Sequence, residues 1–264
     1  MSSGAGKDDK AFTDPGIVAA PSIAAPWSVE KALATLSPAP AEGTDSPIPY
    51  FHILERLKTN KREGWRRFNI ERGESISDHM YRMSLMTMLC PPSLAPRLDL
   101  FKCMKMCLIH DMAESLVGDI TPVDGVSKPE KSRREAETMD YISKKLLGGV
   151  YGGLAGAEIR AIWQEYEDSE TEESKFVHDL DKVELLTQMV EYEKRAGKAL
   201  DLGEFAYVAT VIRNEEVKAW AAEILKEREA FWGAEAHVHG EEGVDGGVKA
   251  EKRQGQEAYY KKEE

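Results

Sequence analysis

A chain of 264 residues with 42% hydrophobic and 31% charged residues can bury a substantial core, in one large or two small domains. Its net charge of −12 argues against a general binder of nucleic-acid polymers, which presents a basic surface. No apolar run approaches the roughly 18 residues of a membrane-spanning helix, and an N-terminus with Asp8, Asp9 and Asp14 and no apolar signal core indicates neither secretion nor a mitochondrial presequence. Cys90, Cys103 and Cys107 fall inside apolar helical patterns, as reduced core thiols of a cytoplasmic, or also nuclear, protein would. Cys103 and Cys107 are expected to pack rather than to bind an ion.

Residues 1–45 are rich in Ala, Pro, Ser and Gly without a sustained period and read as a disordered tail, with room for one short helix over 29–36. Tyr50, Ile53, Leu54 and Leu57 space a first amphipathic helix over 48–57. An irregular stretch from Arg62 to Glu74 follows. Ser75 with Asp78 three residues on has the form of a capping box, so a second helix begins there. His79 falls in its first turn, on one stripe with Met83, Met86 and Cys90.

Phe101, Met104, Leu108 and Met112 recur at helical steps, which predicts a buried helix ending near Gly118 and Asp119. Into its last turns the chain places His110, Asp111 and Glu114. On a continuous helix His110 and Glu114 share a face, with Asp111 about one hundred degrees round. Charges on an apolar helix need partners or a metal. An imidazole beside a carboxylate is an ordinary ligand pair for a divalent ion, but the same residues can also cap the helix or pair with basic side chains.

After a loop to Ser127 come a charged helix over 130–147, a short helix over 157–167 and a long one that starts near Thr171 or Ser174. Phe176, Leu180, Val183 and Val190 form the inner stripe of the long helix. Asp181 lies on the adjacent stripe with Val177 and Leu185, while His178 and Asp179 face solvent by phase. A last amphipathic helix covers 215–232, and 234–264 is a second disordered tail carrying His237 and His239. No segment alternates as a strand would, so the fold class is all-α, with one domain over 46–233. Two basic islands, Lys58 to Arg72 and Lys128 to Arg134, break the acidic background and flank the His/Asp stretches, where a protein that handles phosphate needs cations.

His79, His110-Asp111 and Asp181, each inward or nearly so on a separate helix, resemble the ligand set of the HD-domain metal phosphohydrolases. The blocks Arg62-Glu-Gly-Trp65, Ser75 to Met83, Ile109 to Pro122 and Lys175 to Asp181 are similar to the 5′-deoxynucleotidase subgroup, over essentially 46–232. The resemblance implies a bundle of antiparallel helices around one divalent cation (Mn, Co, Mg, Fe, Ni or Zn) held by His79, His110, Asp111 and Asp181. It implies that Glu114 and Asp119 serve catalysis or bind a second, weaker ion. It implies a deoxynucleoside monophosphate as substrate and a homodimer as assembly. Bacterial members have an adjacent Arg-Trp pair that contacts the phosphate and sugar. Here Arg62 and Trp65 match it with two residues between them, and Arg66 or Arg67 can share the phosphate. A phosphodiesterase or a guanosine-tetraphosphate hydrolase would use the same metal set, with more substrate-binding machinery; an idle nucleotide-binding scaffold would keep the fold, and the complete ligand set, Glu114 included, speaks against it.

Overall fold

Ser75 starts its helix by the reciprocal bonds that its neighbours predict. Its Oγ accepts the Asp78 N–H at 3.1 Å, and Asp78 Oδ2 accepts the Ser75 N–H at 2.8 Å. In the computed structural model, which describes residues 26–70, 72–122 and 124–233, this is one of ten α-helices among the described residues. They are α1 (Val29–Leu33), α2 (Ile48–Thr59), α3 (Glu63–Arg66), α4 (Ile76–Met86), α5 (Leu100–Cys107), α6 (Glu114–Val117), α7 (Lys128–Tyr141), α8 (Leu154–Asp168), α9 (Glu172–Ala196) and α10 (Glu215–Trp232). The sole β pairing among them is an isolated antiparallel bridge, Lys61 with Ser75. The expected ends of both tails, 1–25 and 234–264 with His237 and His239, lie outside the described residues.

The 25-residue α9 is the spine, about 37 Å long at 1.5 Å per residue. Thr171 Oγ1 caps it by accepting the Ser174 N–H at 3.1 Å, and Gly197 ends it at φ +60°. Phe176, Leu180, Val183 and Val190 are buried as their spacing requires. α9 packs against α4, α5, α8 and α10, so its buried surface is much wider than one stripe.

That explains a correction. Asp179, expected at the solvent, is fully buried. Its carboxylate accepts the Arg213 and Asn214 N–H groups at 3.0 and 2.8 Å, satisfying main-chain donors where the chain enters α10. His178 is half-buried, its ring stacked on Tyr166 at 3.9 Å. Phase against one apolar stripe does not identify solvent when a second helix covers the next stripe.

The helix before His110 also differs. α5 stops at Cys107, and its inner side is Cys103, Met106 and Cys107, while Phe101 is 65% and Leu108 43% exposed. Residues 108–113 are turns; the His110 N–H still reaches back four residues to Met106 O, but later bonds reach back three, as from Met112 N–H to Ile109 O at 2.9 Å and Glu114 N–H to Asp111 O at 3.0 Å. His110 and Glu114 therefore do not share the face of a continuous α-helix. The two cysteines have their thiols pushed up by burial, Cys103 to about 12, and serve as packing.

At the N-terminal side, the tail expected over 1–45 is ordered from residue 26 on. Ser28 Oγ accepts the Lys31 N–H at 3.3 Å to start α1, and Val29 is buried in the main core.

Candidate metal centre

The inner ends of α4 and α9 meet the turn that follows α5. His79 comes from the first turn of α4, Asp181 from the third turn of α9, and His110 with Asp111 from the turns at 108–113. One donor atom each of His79, His110 and Asp111 fall within 4.8 Å of one another. Asp181 Oδ1 joins them at 3.1 Å from His79 Nε2, and Asp111 Oδ2 lies 3.2 Å from His110 Nε2 and 3.8 Å from His79 Nε2. The residues read from the sequence as ligands thus come together from three separate segments.

The outer nitrogens decide what the inner ones can do. His110 Nδ1 is 3.0 Å from the Cys107 carbonyl, which only accepts, so Nδ1 carries the proton and Nε2 keeps its lone pair. His79 Nδ1 is 2.6 Å from Glu184 Oε2, deep in the core, which holds a proton on Nδ1 and turns Nε2 toward the centre. Neither Nε2 has a hydrogen bond of acceptable geometry, although carboxylate oxygens stand near both; those contacts are charge contacts with poor angles. Two imidazole Nε2 atoms beside two carboxylates make a donor set that fits a borderline divalent ion. The residues present fit the metal that the sequence implies.

Burial opposes ionisation of Asp111 and Asp181, yet the two imidazoles and Arg62 outweigh it and hold both well below the usual carboxylate range. Burial and the Arg62 charge disfavour a His79 cation, but Glu184 and Asp181 raise its pKa to about 10, so without a bound ion Nε2 carries a proton, in the place where a metal would bind. The pocket is therefore built for positive charge at its centre. A second group of carboxylates, Glu74 and Glu184, flanks His79 on its other side. Both are already engaged: Glu74 accepts the Trp65 indole N–H at 2.7 Å, and Arg82 grips Glu184 at 2.5 Å.

Arg62 caps α3 and reaches over the centre, with Nη1 3.0 Å from Asp111 and Nη2 4.0 Å from Asp181. The chain is pinned there because the Arg62 N–H donates to Glu74 O at 3.2 Å and the Ile76 N–H to Asn60 O at 3.1 Å. Glu114, the first residue of α6, is 1% exposed. Its Oε1 is 3.9 Å from Lys131 Nζ and its Oε2 has no hydrogen bond. Burial, then Asp111 and Asp119, push its pKa well above the usual range. Asp119 Oδ2 accepts the Glu63 N–H at 2.7 Å, tying the end of the 108–119 segment to α3.

Trp65 is placed differently from the expectation. Its ring is 2% exposed and packs on Phe205 at 4.8 Å and Tyr192 at 5.3 Å, with the indole N–H on Glu74. It forms part of a buried aromatic wall behind Arg62 and offers little open surface to a sugar. Arg66 pairs with Glu63 and Arg67 with Glu204. In the second basic island, Lys131 points to Glu114 and to Glu135 at 3.6 Å, whereas Arg133 and Arg134 bond Glu130. The residues that sequence reasoning missed are Glu184 and Arg82. Their signal was a repeated step: an arginine three residues past His79 on α4, and a glutamate three past Asp181 on α9.

The family model described as "HD domain" matches residues 54–220. The chain is 45% identical over 187 residues to the 5′-deoxynucleotidase hdd1 of Schizosaccharomyces pombe, covering 71% of this chain and 92% of that protein. It is 37% identical over 188 residues to the 5′-deoxynucleotidase HDDC2 of Homo sapiens, covering 70% and 88%. The solved structure of the HD domain-containing protein YGK1 superposes with a TM-score of 0.56 at 33% identity, covering 77% of this chain and 94% of that one. With two thirds or more of each relative covered at these identities, the chain belongs to the HD-domain family, in the group that holds these 5′-deoxynucleotidases.

Proposed function

We propose that this chain hydrolyses deoxynucleoside 5′-monophosphates to deoxynucleoside and phosphate, with a divalent cation held by His79, His110, Asp111 and Asp181. The observation that carries the reading is the pair of Nε2 atoms, oriented from behind by Glu184 and the Cys107 carbonyl and placed beside the carboxylates of Asp111 and Asp181. The names of the relatives supply the substrate class. A divalent ion bound there supplies a Lewis acid for the phosphoryl group and acidifies water.

The protein's own groups account for the rest. Arg62 keeps its charge against burial because Asp119, Asp111 and Asp181 surround it. With five N–H donors it can hold phosphate oxygens while still touching Asp111. Glu114, its pKa raised by burial and by Asp111 and Asp119, is suited to hold a proton and deliver it to the 5′-oxygen as the phosphorus–oxygen bond breaks. Lys131 steadies the carboxylate that results. Asp119 holds the Glu63 end of α3, and with it Arg62, at the right height. Trp65 acts through this same segment, as the wall that fixes α3, so the preference for deoxyribose depends on where α3 sits.

The test is phosphate release from a panel of ribo- and deoxyribonucleoside monophosphates after metal stripping, with single metals added back. Release that needs a metal and favours the deoxy series is expected; no release with any metal, or a preference for ribose, overturns the reading. The native metal is the one that restores most activity.

We also read the protein as a cytoplasmic homodimer. A groove of about 580 Å³ lined by Tyr50, Phe51, Leu54, Met80, Leu108 and Met112 is largely apolar, and Phe51 and Leu108 are exposed there, as an interface would need. Sedimentation equilibrium decides: a single monomeric species at micromolar concentration overturns it. No helix among the described residues is long and apolar enough to cross a membrane.

A further inference from the structure

The catalytic turn has little to hold it in place by itself. α6 is one turn long, too short to be stable alone, and Gly118 follows it at φ +79°. Glu114 opens this element and Asp119 closes it, so the positions of both depend on what packs against 114–120.

Val117, Ile120 and Val126 form a small buried cluster of their own, apart from the main core, and Trp27 packs against it. Val117 is the last residue of α6 and Ile120 follows Asp119, so the cluster joins both ends of the turn, and Trp27 packs on it as well as on the main core. Trp27 is itself held. Arg133 Nη2 donates to its carbonyl at 3.2 Å, the Arg134 guanidinium lies 5.9 Å from its ring centroid, and Val29 two residues on is buried in the main core. Arg133 and Arg134 are the two members of the second basic island that bond Glu130. Lys131 of the same helix ties down the other side of the turn by donating to Ile120 O at 3.1 Å. The family match begins at residue 54, so α1 and Trp27 precede it.

We infer that the segment around α1 is a positioning element for the catalytic turn: Trp27, gripped by Arg133 and Arg134 of α7, braces Val117 and Ile120 and thereby fixes Glu114 and Asp119. The inference rests on the proposed function for the roles of those two carboxylates. The four metal ligands lie outside the braced stretch: His79 and Asp181 on α4 and α9, His110 and Asp111 before α6. Loss of the brace therefore separates turnover from metal binding.

The experiment uses the full chain with Trp27→Ala and Trp27→Phe. For each, phosphate release from dAMP, metal affinity by chelator competition and amide exchange are measured. In Trp27→Ala, kcat should fall about ten- to a hundredfold, the scale on which a misplaced catalytic group acts, with metal affinity unchanged. Exchange over 114–122 should quicken by about tenfold or more while that of α9 stays as it was. Trp27→Phe, which keeps a ring on the cluster, should restore most of both. Wild-type kcat and unchanged exchange in Trp27→Ala overturn the inference, as does a matching loss of metal. If Trp27→Ala does not fold, Trp27→Leu is scored on the same three measurements. A wild-type protein that binds metal but releases no phosphate from dAMP overturns the proposed function instead, and exchange then decides the brace alone.

Discussion

The metal centre has two halves that supply the same chemistry by different means. His79 and Asp181 stand on α4 and α9, helices with side-chain caps and long buried stripes. Their surroundings are charged: Glu184 bonds His79, Arg82 bonds Glu184, and Glu191 and Gln188 hold Arg82 at 2.9 and 2.8 Å. His110 and Asp111 stand in a run of turns held mostly through main-chain groups. The Cys107 carbonyl accepts from His110, Asn60 Nδ2 donates to Glu114 O at 2.9 Å, and Arg56 Nε donates to Ser115 O at 2.5 Å. The difference teaches a division of labour. On the proposed function, the helical half would fix where the ion sits, and the turn half, which also carries Glu114 and Asp119, would fix where the proton goes.

The largest expected effect ignores that division, because both halves supply ligands. His79→Ala, His110→Ala, Asp111→Ala and Asp181→Ala should each lose stoichiometric metal and bring phosphate release to background. Metal analysis of the purified variants, run beside turnover, checks this. A His110→Ala protein with full metal and near-normal turnover would show that the turn half supplies no ligand.

The next effect separates the halves. Glu114→Gln keeps the shape of the side chain but removes its titrating group. General acid–base groups contribute about 10²–10⁴-fold, so kcat should fall by that much, with KM and tightly bound metal nearly unchanged. If Glu114 instead anchors a second ion, activity returns at high metal concentration, and a metal titration of the variant tells the two apart. Glu184→Gln should do the reverse. It weakens the hold on His79 Nδ1 and leaves Arg82 short of a partner. Outer partners of metal-binding histidines are worth about 10–100-fold in affinity, so chelator competition should show a loss of that size while turnover at saturating metal stays within a few fold. Equal metal affinity in Glu184→Gln and wild type would remove the charged network from the metal's support.

The same division marks what could be read from the sequence. α4 and α9 were legible because their signals are local: Ser75 with Asp78, Thr171 as a cap, and apolar residues at helical steps. His79 and Asp181 follow once those helices are phased. The turn half was legible only as a string of residue types. Phe101, Met104, Leu108 and Met112 continue a helical period with no glycine or proline before Gly118, so nothing local announces that α5 ends at Cys107. A competing set at the same period, Cys103, Met106 and Cys107, is the one that is buried. Asp179, Glu184 and Trp27 share a different difficulty. Each is placed by partners far away in the chain, Asn214, His79 and the Val117–Ile120–Val126 cluster respectively, and no periodicity of its own segment carries that information. Burial that neighbours impose is invisible to a single-segment reading.

The smallest expected effect concerns Trp65, which belongs to neither half but sets the height of Arg62 above both. Trp65→Phe keeps a ring against Phe205 and Tyr192 and removes the N–H that bonds Glu74. A net hydrogen bond of this kind is worth about 1 kcal/mol, so the melting temperature should fall slightly. Because the ring is 2% exposed, the ratio of kcat/KM for dAMP over AMP should stay within about twofold of wild type, well under the 1.4 kcal/mol that a tenfold change would need. Trp65→Ala is different in kind. It empties the wall behind α3, at a cost of about 3–5 kcal/mol for a buried aromatic, and lets Arg62 shift, so the deoxy preference should narrow in the molecules that remain folded. The two variants together locate the sugar pocket. Lost selectivity in Trp65→Phe would mean that the indole edge touches the sugar directly. Unchanged selectivity in both would place the discrimination on residues outside α3 and its wall.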